Sequence, residues 1–167
     1  MPRLEDIHPL KWDVSMATGI TTIDKHHQYL FDTLQQANQH LLAKDDVTSL
    51  KQVVNDLLGY AIMHFETEEA LMQRYNYAAA HPDEAQTHIA QHRDFSSKVV
   101  AVSERLREGR KVSSAEVLIF LNHWLQEHVL GIDQLLGNYL FQKMKQSENK
   151  ALSGTAPNLG NSDDSKT

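Results

Sequence analysis

The sequence predicts an all-α fold: an up-down-up-down antiparallel four-helix bundle with an N-terminal arm and a disordered C-terminal tail. Three observations predict it. Apolar residues recur at helical spacing in four long stretches. Punctuation is sparse, with only four prolines and seven glycines in 167 residues. No run of residues alternates apolar and polar in the manner of a strand.

The first helix is expected from about Thr22 to Ala43, with Ile23, Leu30, Phe31, Leu34 and Leu41 on its buried face. Asp45 and Asp46 offer N-cap oxygens for a second helix running to about Tyr75, whose seam is Leu50, Val54, Leu57, Ala61 and Leu71. Pro82 at a first helical position, followed by Asp83 and Glu84, opens a third. It buries Ala85, Phe95, Val99, Val102 and Leu106 and stops near Gly109. Ser113 to Glu116 reads as a capping box for the fourth, which carries Val117, Leu121, Trp124, Leu135 and Tyr139. Four helices of this length with short connections fold back as antiparallel neighbours. Residues 1–145 are expected to form this one domain, with the first dozen residues as an arm that pins Trp12 to the bundle. Residues 146–167 lack aromatics, are rich in Ser, Asn, Asp and Gly, and read as a polar, disordered tail.

Bulk composition narrows the function classes. A formal net charge of −6 supplies no basic footprint for nucleic acid or anionic membrane. The absence of cysteine removes disulfides, thiolate metal sites, iron–sulfur clusters and cysteine nucleophiles together. With no signal-peptide-like run at the N-terminus and no 18-residue apolar span, a cytoplasmic location is the expectation. Ten histidines remain conspicuous, since a fold of this size does not need so much imidazole.

Five of those histidines interrupt the apolar seams. The first seam reads Ile23–His27–Leu30–Phe31–Leu34, and the second Leu57–Ala61–His64–Glu68–Leu71. The third reads Ala85–His88–His92–Phe95–Val99, and the fourth passes Leu121, Trp124 and His128 before reaching Asp133. One histidine on an apolar face is ordinarily a hydrogen-bonded core residue. Five imidazoles and two carboxylates on four converging seams are a poor core without a cation, because each buried carboxylate costs several kcal/mol unless paired or coordinated. Alternating helix directions put all seven at one level of the bundle. His64/Glu68 and His88/His92 are i, i+4 pairs, able to converge on a metal. His128 and Asp133 are five apart, which a regular helix rotates by about 140°. A local π-like turn, eased by Gly131, is expected to correct this.

Trp12, the stretch GITTIDKHHQYLF, then HFETEE, HIAQH and WLQEHVLGID resemble the hemerythrins, specifically the bacterial single-domain kind, over about residues 10 to 140. The resemblance implies two iron ions joined by an oxo or hydroxo bridge, with His27, His64, His88, His92 and His128 as terminal ligands and Glu68 and Asp133 bridging. It places His88, His92 and His128 on one iron and His27 and His64 on the other, which keeps one open position for O2. The family usually has glutamine where this chain has His26. The seam passes through His27, so His27 is kept as the ligand, with His26 an outer group or an alternative ligand. His8, His40, His81 and His123 read as surface or capping residues. Leu30, Phe31 and Trp124 lie one turn from ligands and are expected to wall an O2 pocket, besides packing the core.

Histidine and carboxylate ligands suit iron or manganese, while affinity alone would also admit zinc or copper. Five histidines to two carboxylates is the reverse of the carboxylate-rich set of ferritin-like di-iron proteins. Fewer anionic ligands stabilise high-valent iron less, which favours reversible binding over substrate oxidation. The expected function is therefore an O2 carrier, store or delivery protein rather than an enzyme. A sensor of oxygen, nitric oxide or redox state that signals to a protein partner, and a di-iron enzyme acting on iron, peroxide or nitric oxide, are the alternatives.

Overall fold

The fold is that of a computed structural model and is described for residues 2–154. Six α-helices and two short 3₁₀ turns, Leu4–Asp6 and Val14–Met16, lie among the described residues, with no strand. Helix α1 (Thr21–Ala43) is anchored by Asp24 in its first turn. The Asp24 carboxylate accepts the backbone N–H groups of Thr18 (2.7 Å) and Gly19 (3.2 Å) and the Thr18 hydroxyl (2.8 Å), tying the arm to the helix start. Of the two expected caps, Asp46 holds α2 (Val47–Arg74) by accepting the Ser49 N–H at 2.8 Å. Asp45 instead accepts the Ser114 hydroxyl at 2.6 Å, joining the α1–α2 turn to a later helix start. A four-residue helix absent from the sequence reading, α3 (Tyr77–Ala80), follows Asn76 in the left-handed region and buries Tyr77.

Helix α4 (Pro82–Arg107) opens on Pro82, Asp83 and Glu84 as expected. The fourth rod begins with α5 (Ser114–Leu130), where the Ser113 hydroxyl accepts the Glu116 N–H at 3.3 Å. It does not continue as one helix. At Gly131 the backbone turns to φ −102°, ψ −97°, and α6 (Ile132–Ser153) starts afresh. A Cβ at Gly131 would lie 2.6 Å from the Glu127 carbonyl oxygen, so the break needs glycine. It advances the buried face by one residue. Leu135, expected on the seam, is 53% exposed, whereas Leu136 and Leu140 are fully buried and Tyr139 is only partly so.

Helix α6 also passes the expected tail boundary at Gln146 and runs to Ser153, exposed over most of that length. The composition that suggested disorder reports a lack of burial, while Gln146–Leu152 contains no proline or glycine to stop a helix. The remainder of the expected tail, residues 155–167, lies outside the described residues.

Four rods make the bundle, α1, α2, α4 and the α5–α6 pair, and α1 packs on α2 and α5 while α2 packs on α4. No described helix is long and apolar enough to cross a membrane. The arm crosses α6 at Gly137, where a Cβ would come within 2.5 Å of Thr18 Cβ. Trp12 rests half-buried on the bundle as expected.

Two apolar cores result. The larger includes Leu34, Leu41, Leu57, Val99, Leu106 and Leu118. The smaller includes Ile23, Met72, Tyr77, Ala85, Leu136 and Leu140. Along every rod the chain passes from one core to the other through buried histidines or carboxylates: His27, His64 and Glu68, His88 and His92, His128 and Asp133.

Candidate metal centre

The layer between the cores holds all seven residues singled out on the seams, each at most 2% exposed. His27 Nε2 lies 2.9 Å from Asp133 Oδ2, and His64 Nε2 3.2 Å from Glu68 Oε1. His88 Nε2 is 3.1 Å from Glu68 Oε2 and 2.9 Å from Asp133 Oδ1. His92 Nε2 is 3.0 Å from Glu68 Oε2, and His128 Nε2 is 2.9 Å from Asp133 Oδ1. The last contact is the one a regular helix forbids. The break at Gly131, rather than a π-like turn, brings it about.

These atoms form two overlapping groups. One is Glu68, His88, His92, His128 and Asp133, and the other is His27, His64, Glu68 and Asp133. Within each, the donor atoms lie within 4.8 Å of one another, and Glu68 and Asp133 belong to both. A cation in each group fits the donor set. Both nitrogens of His27, His64 Nε2, Glu68 Oε1 and both Asp133 oxygens are buried with no aligned hydrogen-bond partner, despite the short separations. Lone pairs that approach without donor alignment are arranged for a shared cation, and without one they would be unsatisfied in a dry core.

Electrostatics agree. Burial alone pushes the imidazoles down, but Asp133 and Glu68 outweigh it and raise His27 and His88 to about 9. His128 is raised for the same reason. Burial works against ionised Glu68, yet the surrounding histidines, His64 first, hold it well below the usual carboxylate range. Asp133 is held low as well: burial and Glu68 oppose its charge, and His128 and His27 prevail.

Outer groups lie within hydrogen-bond distance of three of the rings. Glu69 Oε1 sits 3.1 Å from His92 Nδ1, and Gln91 Oε1 sits 2.8 Å from His128 Nδ1. His26 Nδ1 lies 3.0 Å from His64 Nδ1. His26 belongs to neither group, whereas His27 belongs to the second. Phe65 stacks on His92 (centroids 4.0 Å, 12°) and Trp124 on His128 (4.4 Å, 14°). Sequence reasoning missed Glu69, Gln91 and Phe65. Each stands immediately beside a site residue, and a search one position off every seam would have found them. Of the remaining histidines, His8, His40, His81 and His123 are exposed, and His81 leaves its helix start without a side-chain cap.

A cavity of about 20 Å³ adjoins the layer. Leu30, Phe65, Trp124 and Val129 line it, with His64 and His128 as its polar members. Of Leu30, Phe31 and Trp124, the first and last line this cavity. Phe31 is not among the lining and packs into the larger core.

A family model, the hemerythrin HHE cation binding domain, matches residues 18–140. A bacteriohemerythrin of Stenotrophomonas maltophilia is 25% identical over 147 residues, covering 87% of this chain and 90% of that protein. A hemerythrin-like protein of Naegleria gruberi is 26% identical, covering 75% of this chain and 88% of that protein. Among solved structures, a wild-type hemerythrin superposes with a TM-score of 0.69 at 22% identity, over 78% of this chain and 97% of that one, which speaks to the fold. With the family match spanning most of the bundle, the chain belongs to the hemerythrin family.

Proposed function

We propose that this protein binds dioxygen reversibly at a two-iron centre, as a carrier, store or delivery protein. The supporting observation is the unequal division of ligands. The group of five offers three imidazoles and the two shared carboxylates, and the group of four offers two imidazoles and the same carboxylates. The residues of the first group would thus offer one more donor to a metal than those of the second. His88, His92 and His128 would saturate one iron, while His27 and His64 would leave one position free on the other. Two ferrous ions held there would supply the reversible redox chemistry that dioxygen binding requires.

The chain's own residues do the rest. Glu68 and Asp133, shared by both groups, would be the residues that tie the two metal positions together. The cavity beside His64 is about the size of one water or one diatomic, and its lining offers few of the two to four hydrogen-bond partners that a resident water needs. An apolar diatomic suits it better. The small volume favours stoichiometric binding of a diatomic over turnover of a bulky substrate. Anaerobic reconstitution with ferrous iron tests the reading. Two irons per chain, and a visible absorption that appears with O2 and fades on degassing, are expected. A ferric product that never releases O2 would overturn reversible binding.

Two further outcomes follow from the same reading. Leu30→Asn should speed autoxidation, because a polar lining admits water to the cavity. Phe31→Leu should leave the rate within about twofold, since Phe31 does not line it. Equal effects of the two substitutions, measured as loss of the oxygenated absorption with time, would remove Leu30 from the pocket.

Loading should also release protons at pH 7.5. In the metal-free protein His27 and His88 are raised from 6.5 to about 9 and carry protons that coordination must expel. Their raised values favour folding fully below about 6.5, and that contribution is lost as pH climbs through about 9. Proton release on metal binding, read by calorimetry in buffers of different ionisation enthalpy, should fall across the same window. A release that stays constant from pH 7 to 10 would show that these imidazoles are neutral beforehand.

A further inference from the structure

We infer that His26 is a positioning residue for the metal centre: its Nδ1 accepts the Nδ1–H of His64 and thereby turns the His64 Nε2 lone pair inward. The inference rests on the two-metal reading above and goes beyond it, since His26 lies outside both ligand groups.

The geometry carries the case. His64 Nε2 faces the layer, 3.2 Å from Glu68 Oε1, so its proton must sit on Nδ1 when Nε2 binds a cation. His64 is only 1% exposed, and an Nδ1–H there needs a partner inside the protein. The atom facing it is His26 Nδ1, at 3.0 Å. Two facing Nδ1 atoms cannot both carry protons, nor both be bare, in a neutral hydrogen-bonded pair. With the His64 proton on Nδ1, His26 must be the acceptor and carry its own proton on Nε2.

The His26 ring is itself held for this task. It stands edge-on to Tyr60 with centroids 5.8 Å apart and edge-on to His64 at 5.2 Å. Tyr60 is braced in turn by stacking on Tyr29 at 4.1 Å. Adjacent positions on α1 differ by about 100° in direction. The chain can therefore send His27 into the layer and His26 into the α1–α2 seam.

His26 completes a pattern. Glu69 is a carboxylate acceptor for His92, Gln91 an amide acceptor for His128, and His26 an imidazole acceptor for His64. Both His92 and His128 belong to the five-ligand group, so His26 is the corresponding outer partner for the four-ligand group. That group is where the free position lies. Losing an outer partner of a metal-bound histidine typically weakens metal binding by about 10- to 100-fold. Here the weakening should fall on one metal of the two.

The test uses Co2+ titration of the full-length protein, with wild type, His26→Leu and His26→Gln compared, and proton NMR of the cobalt-loaded forms in H2O and D2O. Leucine removes the acceptor. Glutamine supplies an amide oxygen of the kind Gln91 already presents to His128. In His26→Leu the affinity for one Co2+ should fall by about tenfold or more. The affinity for the other should stay within about threefold. One solvent-exchangeable imidazole N–H signal should broaden or vanish in that variant. His26→Gln should restore both the affinity and the signal.

Unchanged affinities and signals in His26→Leu overturn the inference and leave the metal centre standing. So does a loss that His26→Gln fails to rescue, because ring packing rather than acceptance would then be at work. Failure of the wild-type protein to bind Co2+ sinks the two-metal reading itself. Should His26→Leu not fold, nitrogen-15 NMR of the zinc-loaded wild type decides. His64 protonated on Nδ1 with His26 protonated on Nε2 is expected, and the opposite pair of tautomers overturns the assignment.

Discussion

Gly131→Val is expected to strip the protein of tight metal binding while most of its helix remains. A Cβ at this position would stand 2.6 Å from the Glu127 carbonyl oxygen, a backbone atom that cannot swing aside. The break between α5 and α6 would have to open or straighten, and a β-branched side chain adds crowding to either choice. A straightened rod would carry Asp133 off the buried face, because His128 and Asp133 are five residues apart. Asp133 belongs to both ligand groups, so both metals would lose a ligand at once. The loss of affinity should exceed the roughly 10- to 100-fold that follows removal of an outer partner. The forced shift should also destabilise the metal-free protein by about 1–3 kcal/mol. Metal per chain after desalting, with the thermal midpoint of the metal-free form, checks both. Asp133→Ala is the comparator, since it deletes the carboxylate without touching the break. Native metal content in Gly131→Val would mean that the backbone reaches the same geometry another way.

His128→Ala should abolish stable binding of two irons. The substitution removes one of the three imidazoles of the five-ligand group. It strands Gln91 Oε1, which the ring holds at 2.8 Å, and empties the space against Trp124. Fewer than two irons per chain is the expected count after anaerobic loading and desalting. His123→Ala serves as the control because His123 is exposed five residues away and touches neither group. Two retained irons in His128→Ala would remove this residue from the ligand set and with it the argument for an unequal pair.

Much of this architecture was legible because it follows from period. Ile23, His27, Leu30 and Leu34 share a face by helical arithmetic alone, and the same counting aligned His64 with Glu68 and His88 with His92. Caps at Asp46, Pro82 and Ser113 were readable from local chemistry. The failures cluster where period fails. One residue of slippage at Gly131 exchanged Leu135 for Leu136 on the buried face, and no propensity encodes that exchange. The length of α6 was underestimated because exposure and disorder look alike in composition, although an exposed helix needs no apolar stripe. Phe31 was assigned to the cavity from its neighbours in sequence, but which side of a buried ring faces a void depends on how rods rotate against each other. Glu69 and Gln91 meet His92 and His128 across helix interfaces, and a seam read along one helix does not point to them.

The seven polar residues lie between a larger and a smaller apolar core. Burial of hydrocarbon is therefore interrupted where the two ends of the bundle meet, because much of the plane between them is made of groups that prefer water or a cation. Whatever occupies that plane contributes its binding free energy to holding the halves together, in proportion to the logarithm of its free concentration. Durability of the fold then becomes a property that the chain shares with its surroundings. The same polypeptide would be a firmer object where metal is plentiful and a looser one where it is scarce, so turnover of the protein could track the metal supply.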